Sequence, residues 1–122
     1  MPIIRADQAP TFDLPGVQFT AYAAPSRGSA DLCTWQITVA PDQEPTAHTL
    51  DRDETFLVLE GRLRINPDGE DLGPGDVAVV HAGETIAVVN PGSIPARAYV
   101  AISAGFTATT HDGQTLQPPW AQ

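Results

Sequence analysis

Three residues in the middle of the chain stand at spacings that suit a reaction centre. His48, Leu50 and Glu54 fall on one face if the two segments carrying them are extended, because every second residue of a strand returns to the same side. His48 and Glu54 are candidate metal ligands and candidate proton carriers. Burial of the carboxyl raises its pKa, whereas a protonated imidazole beside it lowers it. Two groups fall short of the three protein ligands a zinc site normally uses, or the two His and one carboxylate common for non-haem iron. A third would have to swing in from a loop, and the other imidazoles are His81 and His111.

Reactive groups need a frame, and the flanking sequence reads as strands. Val17–Ala23 and Leu32–Val39 mix β-branched, aromatic and polar residues at period two, with turn chemistry at Pro25–Ser29 between them. A polar stretch follows Ala40-Pro41 as far as Asp53. Glu54–Glu60 is the next strand, and Gly61 turns it into Arg62–Ile65, where Leu63 and Ile65 alternate with two arginines as on a sheet with one wet face. Pro67-Asp68-Gly69 carries a hairpin signal. Val77–Val80 and Thr85–Asn90 follow, parted by Ala82-Gly83. A last strand is expected over Ala98–Ala108, with Asp112-Gly113 turning the chain toward a Pro118-Pro119-Trp120 tail.

No helical period exceeds a turn or two, so the chain is expected to be all-β. Short strands at regular spacing suit a sandwich or barrel, and a barrel closes the edges that would otherwise template aggregation. The 122 residues fit one domain, 1–122, with a barrel core at about 17–108, a short N-terminal arm and a Pro-rich tail.

Six basic residues against 15 acidic ones give a net charge of -9, with no Lys/Arg-rich run. Nucleic acid is a poor partner for such a chain, because binding the phosphate backbone requires clustered cations. The same charge disfavours an anionic membrane, and no apolar stretch approaches the ~20 residues of a membrane span. Met1–Asp7 lacks the apolar segment of a secretory leader, and Cys33 is alone, which excludes an intrachain disulfide and a multi-Cys zinc pattern. A cytoplasmic protein is expected.

The segments His48–Gly61 and Gly75–Asn90 resemble the two motifs of the cupin family. The first motif is H-x-H, three or four residues, E, six residues, G. Here it reads His48-Thr49-Leu50, three residues, Glu54, six residues, Gly61, so the second His is replaced by Leu50. The second motif is G-D, four residues, P-x-G, two residues, H, three residues, N. Here it reads Gly75-Asp76, four residues, His81-Ala82-Gly83, two residues, Ile86, three residues, Asn90. Both frames hold, while Ile86 replaces the metal His and His81 replaces the turn Pro.

The resemblance implies a single-domain cupin, a double-stranded β-helix or jelly-roll barrel. In the family three His and one Glu hold a divalent or similar metal ion, and here only His48 and Glu54 remain as metal ligands. With Leu50 and Ile86 in place of the lost imidazoles, and Phe56 and Val88 on the same strand parity, the expected pocket is apolar. The reading is a small-molecule-binding cupin, metal-independent or weakly metal-binding. In it Glu54 and His48 act as an acid-base pair for an isomerase, cyclase or lyase on an enolisable or aromatic substrate.

Two alternatives remain open. One is a metal-dependent, dioxygenase-like cupin with an incomplete ligand set; the other is a non-catalytic ligand-binding or sensor module. Against all three stands a purely structural role, in which His48 and Glu54 satisfy each other inside a filled barrel. Cupins are often dimers, and a homodimer is expected, with the first strand and the tail as contacts. Trp35, Tyr22 and Tyr99 read as core or interface, and Cys33 as a small buried hydrophobe. Asn90, Asp76, Gly61, Gly75 and Gly83 read as turn residues, and Asp51, Arg52 and Asp53 as a solvated loop.

Overall fold

Alternating burial organises the computed structural model, which describes residues 1–122. The strands are β1 (Thr11–Leu14), β2 (Val17–Ala21), β3 (Leu32–Val39), β4 (His48–Leu50), β5 (Glu54–Glu60), β6 (Val77–Val80), β7 (Ala96–Ser103), β8 (Ala108–Thr110) and β9 (Thr115–Leu116). Only three 3-10 turns, at Ala6–Gln8, Pro25–Arg27 and Pro119–Ala121, interrupt this all-β order.

Six strands form one antiparallel sheet in the order β1-β2-β3-β7-β5-β6. The opposing sheet begins β9-β8-β4. It continues through single bridges, His48 to Ile86, Arg64 to Val89 and Leu63 to Leu72. The expected strands Arg62–Ile65 and Thr85–Asn90 thus pair as extended chain, with bonds such as Ala87 N–H to Ile65 O at 2.8 Å, but not as regular ladders.

The two sheets bury one face each. On β3 the inward residues are Cys33, Trp35, Ile37 and Val39, and on β7 they are Ala96, Ala98, Val100 and Ile102. These strands pair so that Cys33 lies opposite Ile102 and Trp35 opposite Val100. Buried aliphatic rows of this kind supply most of the folding free energy, at about 25 cal/mol per Å² removed from water.

Several boundaries differ from expectation, and β2 ends at Ala21, short of Ala23. The N-terminal arm contributes β1, because Pro15-Gly16 makes a two-residue turn in which Gly16, at φ 75, takes the left-handed position, and Leu14 then pairs with Val17. The expected strand Ala98–Ala108 begins earlier, at Ala96. It breaks at Ala104-Gly105, where Gly105 has φ 83, and resumes as β8.

The tail packs on its own chain. The Trp120 ring stacks on Phe19 with centroids 3.7 Å apart and meets Trp35 edge-on at 6.5 Å. Arg27 donates to Trp120 O at 2.9 Å, and Cys33 Sγ contacts Ala121 O at 3.3 Å. Asn90, 3 % exposed, ties the opposite end of the barrel: its amide donates to Val39 O and Ile94 O and accepts from Gly92 N.

Candidate functional site

Strand alternation delivers Glu54 to the interior. It opens β5 on the same face as Phe56 and Val58, all three buried. Across the sheet Glu54 lies between Val80 of β6 and Ile102 of β7, with Cys33 beyond, so the carboxyl sits in an aliphatic row. Its exposure is 3 %, and burial alone pushes its pKa from 4.5 up to about 8. Neither a hydrogen bond nor a neighbouring charge offsets that burial.

His48 comes from the opposing sheet, paired with Thr110 on one side and Ile86 on the other. Its Nδ1 lies 3.2 Å from Thr46 O. A carbonyl oxygen only accepts, so Nδ1 carries the proton and Nε2 presents a free lone pair. Burial lowers the pKa of His48, outweighing the bond to Thr46, and favours the neutral ring. His48 and Glu54 therefore do not satisfy one another: the imidazole is held by Thr46 and the carboxyl has no partner.

Leu50, Phe56 and Ile86 are buried members of the main core, and Val88 packs against it half-buried. None of these four, nor His48 or Glu54, lines either of two open surface depressions. One of about 260 Å³ lies between the tail and the β7–β8 turn, beside Phe106 and Pro118. The other, of about 570 Å³, runs along β6.

The remaining imidazoles face away from the interior. The His81 side chain is 70 % exposed and its Nδ1 lies 3.3 Å from Asp53 Oδ2. His111 is exposed on the turn between β8 and β9. Nowhere do three His, Cys, Asp or Glu side chains converge as a metal site requires. A family-type metal centre needs donors where this chain has Leu50 and Ile86, so the residues present do not fit one.

The loop Asp51–Asp53, expected to be merely solvated, ties down two neighbouring turns, the β7–β8 connection and the one at Ala82. Asp51 accepts from Thr107 N at 2.7 Å, Arg52 donates to Ala104 O at 2.8 Å, and Asp53 accepts from Ala82 N at 2.9 Å. Thr46, whose carbonyl sets the His48 tautomer, escaped the sequence reading. A carbonyl contact two residues away leaves no mark on side-chain patterning.

Paired motifs on two facing sheets are matched by a family model for the cupin domain over residues 35–102, more than half of the chain. The chain belongs to the cupin family. This cupin is similar in structure to a polyketide cyclase, RemF from Streptomyces resistomycificus, at 18 % identity and TM-score 0.73, covering 84 % of this chain and 79 % of that one. A sugar phosphate isomerase of the cupin superfamily from Silicibacter pomeroyi is 18 % identical with TM-score 0.73, covering 98 % and 95 %. KdgF from Halomonas sp. is 19 % identical with TM-score 0.69, covering 81 % and 89 %. At such identities the likeness concerns the fold. No curated protein sequence matches the chain. No helix is long and apolar enough to cross a membrane.

Proposed function

We propose that this cupin binds a small molecule and moves protons on it without a metal ion, as an isomerase, cyclase or lyase. The observation that carries the reading is the Glu54 carboxyl, 3 % exposed, set among aliphatic side chains and unpartnered. Near pH 7 such a group keeps its proton and serves as a general acid. The neutral His48, with Nε2 free, is the matching base.

On an enolisable carbonyl compound, Nε2 takes a proton from the carbon beside the carbonyl while Glu54 protonates the carbonyl oxygen. The enol that forms either collapses with the proton returned elsewhere or attacks a second carbonyl to close a ring. A positioned acid or base typically contributes about 10²- to 10⁴-fold. A polyketide cyclase and a sugar phosphate isomerase among the structural neighbours are compatible with such chemistry on this scaffold.

Exchange in D₂O tests the partial reaction without knowledge of the product. Wild-type protein incubated with a panel of 1,3-dicarbonyl compounds is expected to accelerate deuterium uptake at the activated carbon, followed by proton NMR. Glu54→Gln and His48→Ala should each lower the rate at least about 100-fold. Uptake equal in wild type and both variants across the panel would remove the acid-base reading.

A further inference from the structure

We infer that the free edge of β6 carries a second binding site, for an apolar molecule bearing a protonated amine. β6 ends the six-stranded sheet, and the bridge from Leu63 to Leu72 ends the opposing one. The two edges border the open groove of about 570 Å³. Its apolar lining is Ile65, Leu72 and the four residues of β6, of which Val77 and Val79 are each 55 % exposed.

The ladder leaves hydrogen-bonding groups free in this groove. Val58 N–H donates to Asp76 O at 3.0 Å, and Leu57 pairs with Val77. Antiparallel alternation then commits Ala78 and Val80 to β5 and turns the N–H and C=O groups of Val77 and Val79 toward the open edge. Those carbonyls accept from an ammonium group.

Charge selects the ligand class. Glu70 and Glu84 are the only charged residues lining the groove, and both are exposed. No arginine lines it: Arg62 and Arg64 are paired with Asp71, and Arg97 with Glu60. On a chain of net charge -9, this groove repels carboxylates and phosphates and attracts amines. Val80 is the cross-strand neighbour of Glu54, so the groove adjoins the proposed acid. Binding here stands whether or not Glu54 transfers a proton.

Three isosteric probes test the site: 2-naphthylmethylamine, 2-naphthylmethanol and 2-naphthoate, titrated by calorimetry at low salt. The amine is expected to bind about three- to tenfold tighter than the alcohol, and the carboxylate weakest. The preference should shrink toward onefold in Glu70→Gln/Glu84→Gln, and in about 1 M salt, where the Debye length is ~3 Å. Valine methyl NMR should locate the amine at Val77, Val79 and Val80, and Val79→Arg should weaken it at least tenfold. Carboxylate binding as tight as amine binding, a preference that survives the double substitution, or amine binding unaffected by Val79→Arg would overturn the proposal.

Discussion

Asp53 and Glu54 are consecutive carboxylic acids that the fold drives in opposite directions. Asp53 faces outward, with its side chain 62 % exposed, and the backbone N–H of Ala82 together with His81 holds its pKa below the ordinary value. Glu54 faces inward, where burial raises its pKa to about 8. One step along a strand changes the face, and with it the solvent and the donors each group meets. Position on the pleat decides which of the two acids holds its proton more tightly. The residue type is nearly the same at both sites, and only the inner one is left without a partner.

The largest expected effect restores the donors that the inner face lacks. Leu50→His/Ile86→His places two imidazoles beside His48, since residues 48 and 50 share a face and Ile86 pairs with His48. Zinc or nickel is then expected to bind with Kd at or below about 1 µM, roughly 8 kcal/mol, against no stoichiometric binding in wild type. Calorimetry checks this, and a bound cation should bring the Glu54 pKa down. Absence of binding in the double variant would mean that Glu54 does not converge with positions 48, 50 and 86.

The next effect concerns pH. The folded-state pKa of Glu54, about 8, lies above its ordinary 4.5, so the folded protein holds this proton more tightly than the unfolded chain does. Its contribution to stability is full below about pH 4.5 and is lost as pH rises through 8. At 1.36 kcal/mol per pH unit, wild type should lose about 3 kcal/mol between pH 6 and pH 9 relative to Glu54→Gln. Urea unfolding at the two values measures the difference, and parallel behaviour would show that the charged carboxylate is accommodated inside. His48 has the opposite sign: its lowered pKa gives stability that is lost as pH falls through the folded value.

The tail caps one end of the row that holds the inner carboxyl. Ala121 O contacts Cys33, which lies in the same cross-strand row as Ile102 and Glu54. Trp120→Ala removes the stack on Phe19 and should cost about 2 kcal/mol in urea unfolding. The figure is below that for a fully buried aromatic, because Trp120 is half-buried and its ring N–H has no partner. Water admitted at this end should bring the Glu54 pKa back toward its ordinary value, a shift readable by carbonyl-band infrared titration. An unchanged titration would confine the tail to a packing role.

Much of the frame could be read from local pattern. β3, β5 and β6 have the bounds their sequence indicated, and the two glycine-punctuated motifs meet where His48 and Ile86 bridge within one sheet. What escaped depends on distant partners. The direction of His81 is set by Asp53, 28 residues away, and the closure of Trp120 over Phe19 joins the two ends of the chain. The groove beside β6 forms between two sheet edges, and no periodicity within either segment announces it. β1 does carry a local signal, the Pro15-Gly16 turn that sets Leu14 against Val17.

The outer carboxyl gives the smallest effect and the sharpest control. Asp53→Asn keeps an oxygen for the Ala82 N–H while removing the charge that faces His81. Both side chains are largely exposed, so solvent already screens the pair, and the melting temperature should stay within about 2 °C of wild type. The Glu54 titration should not move, because its pKa is set by burial alone. If Asp53→Asn shifted Glu54 as well, the two acids would be electrostatically coupled through the start of β5, and the pleat would not separate them as the comparison requires.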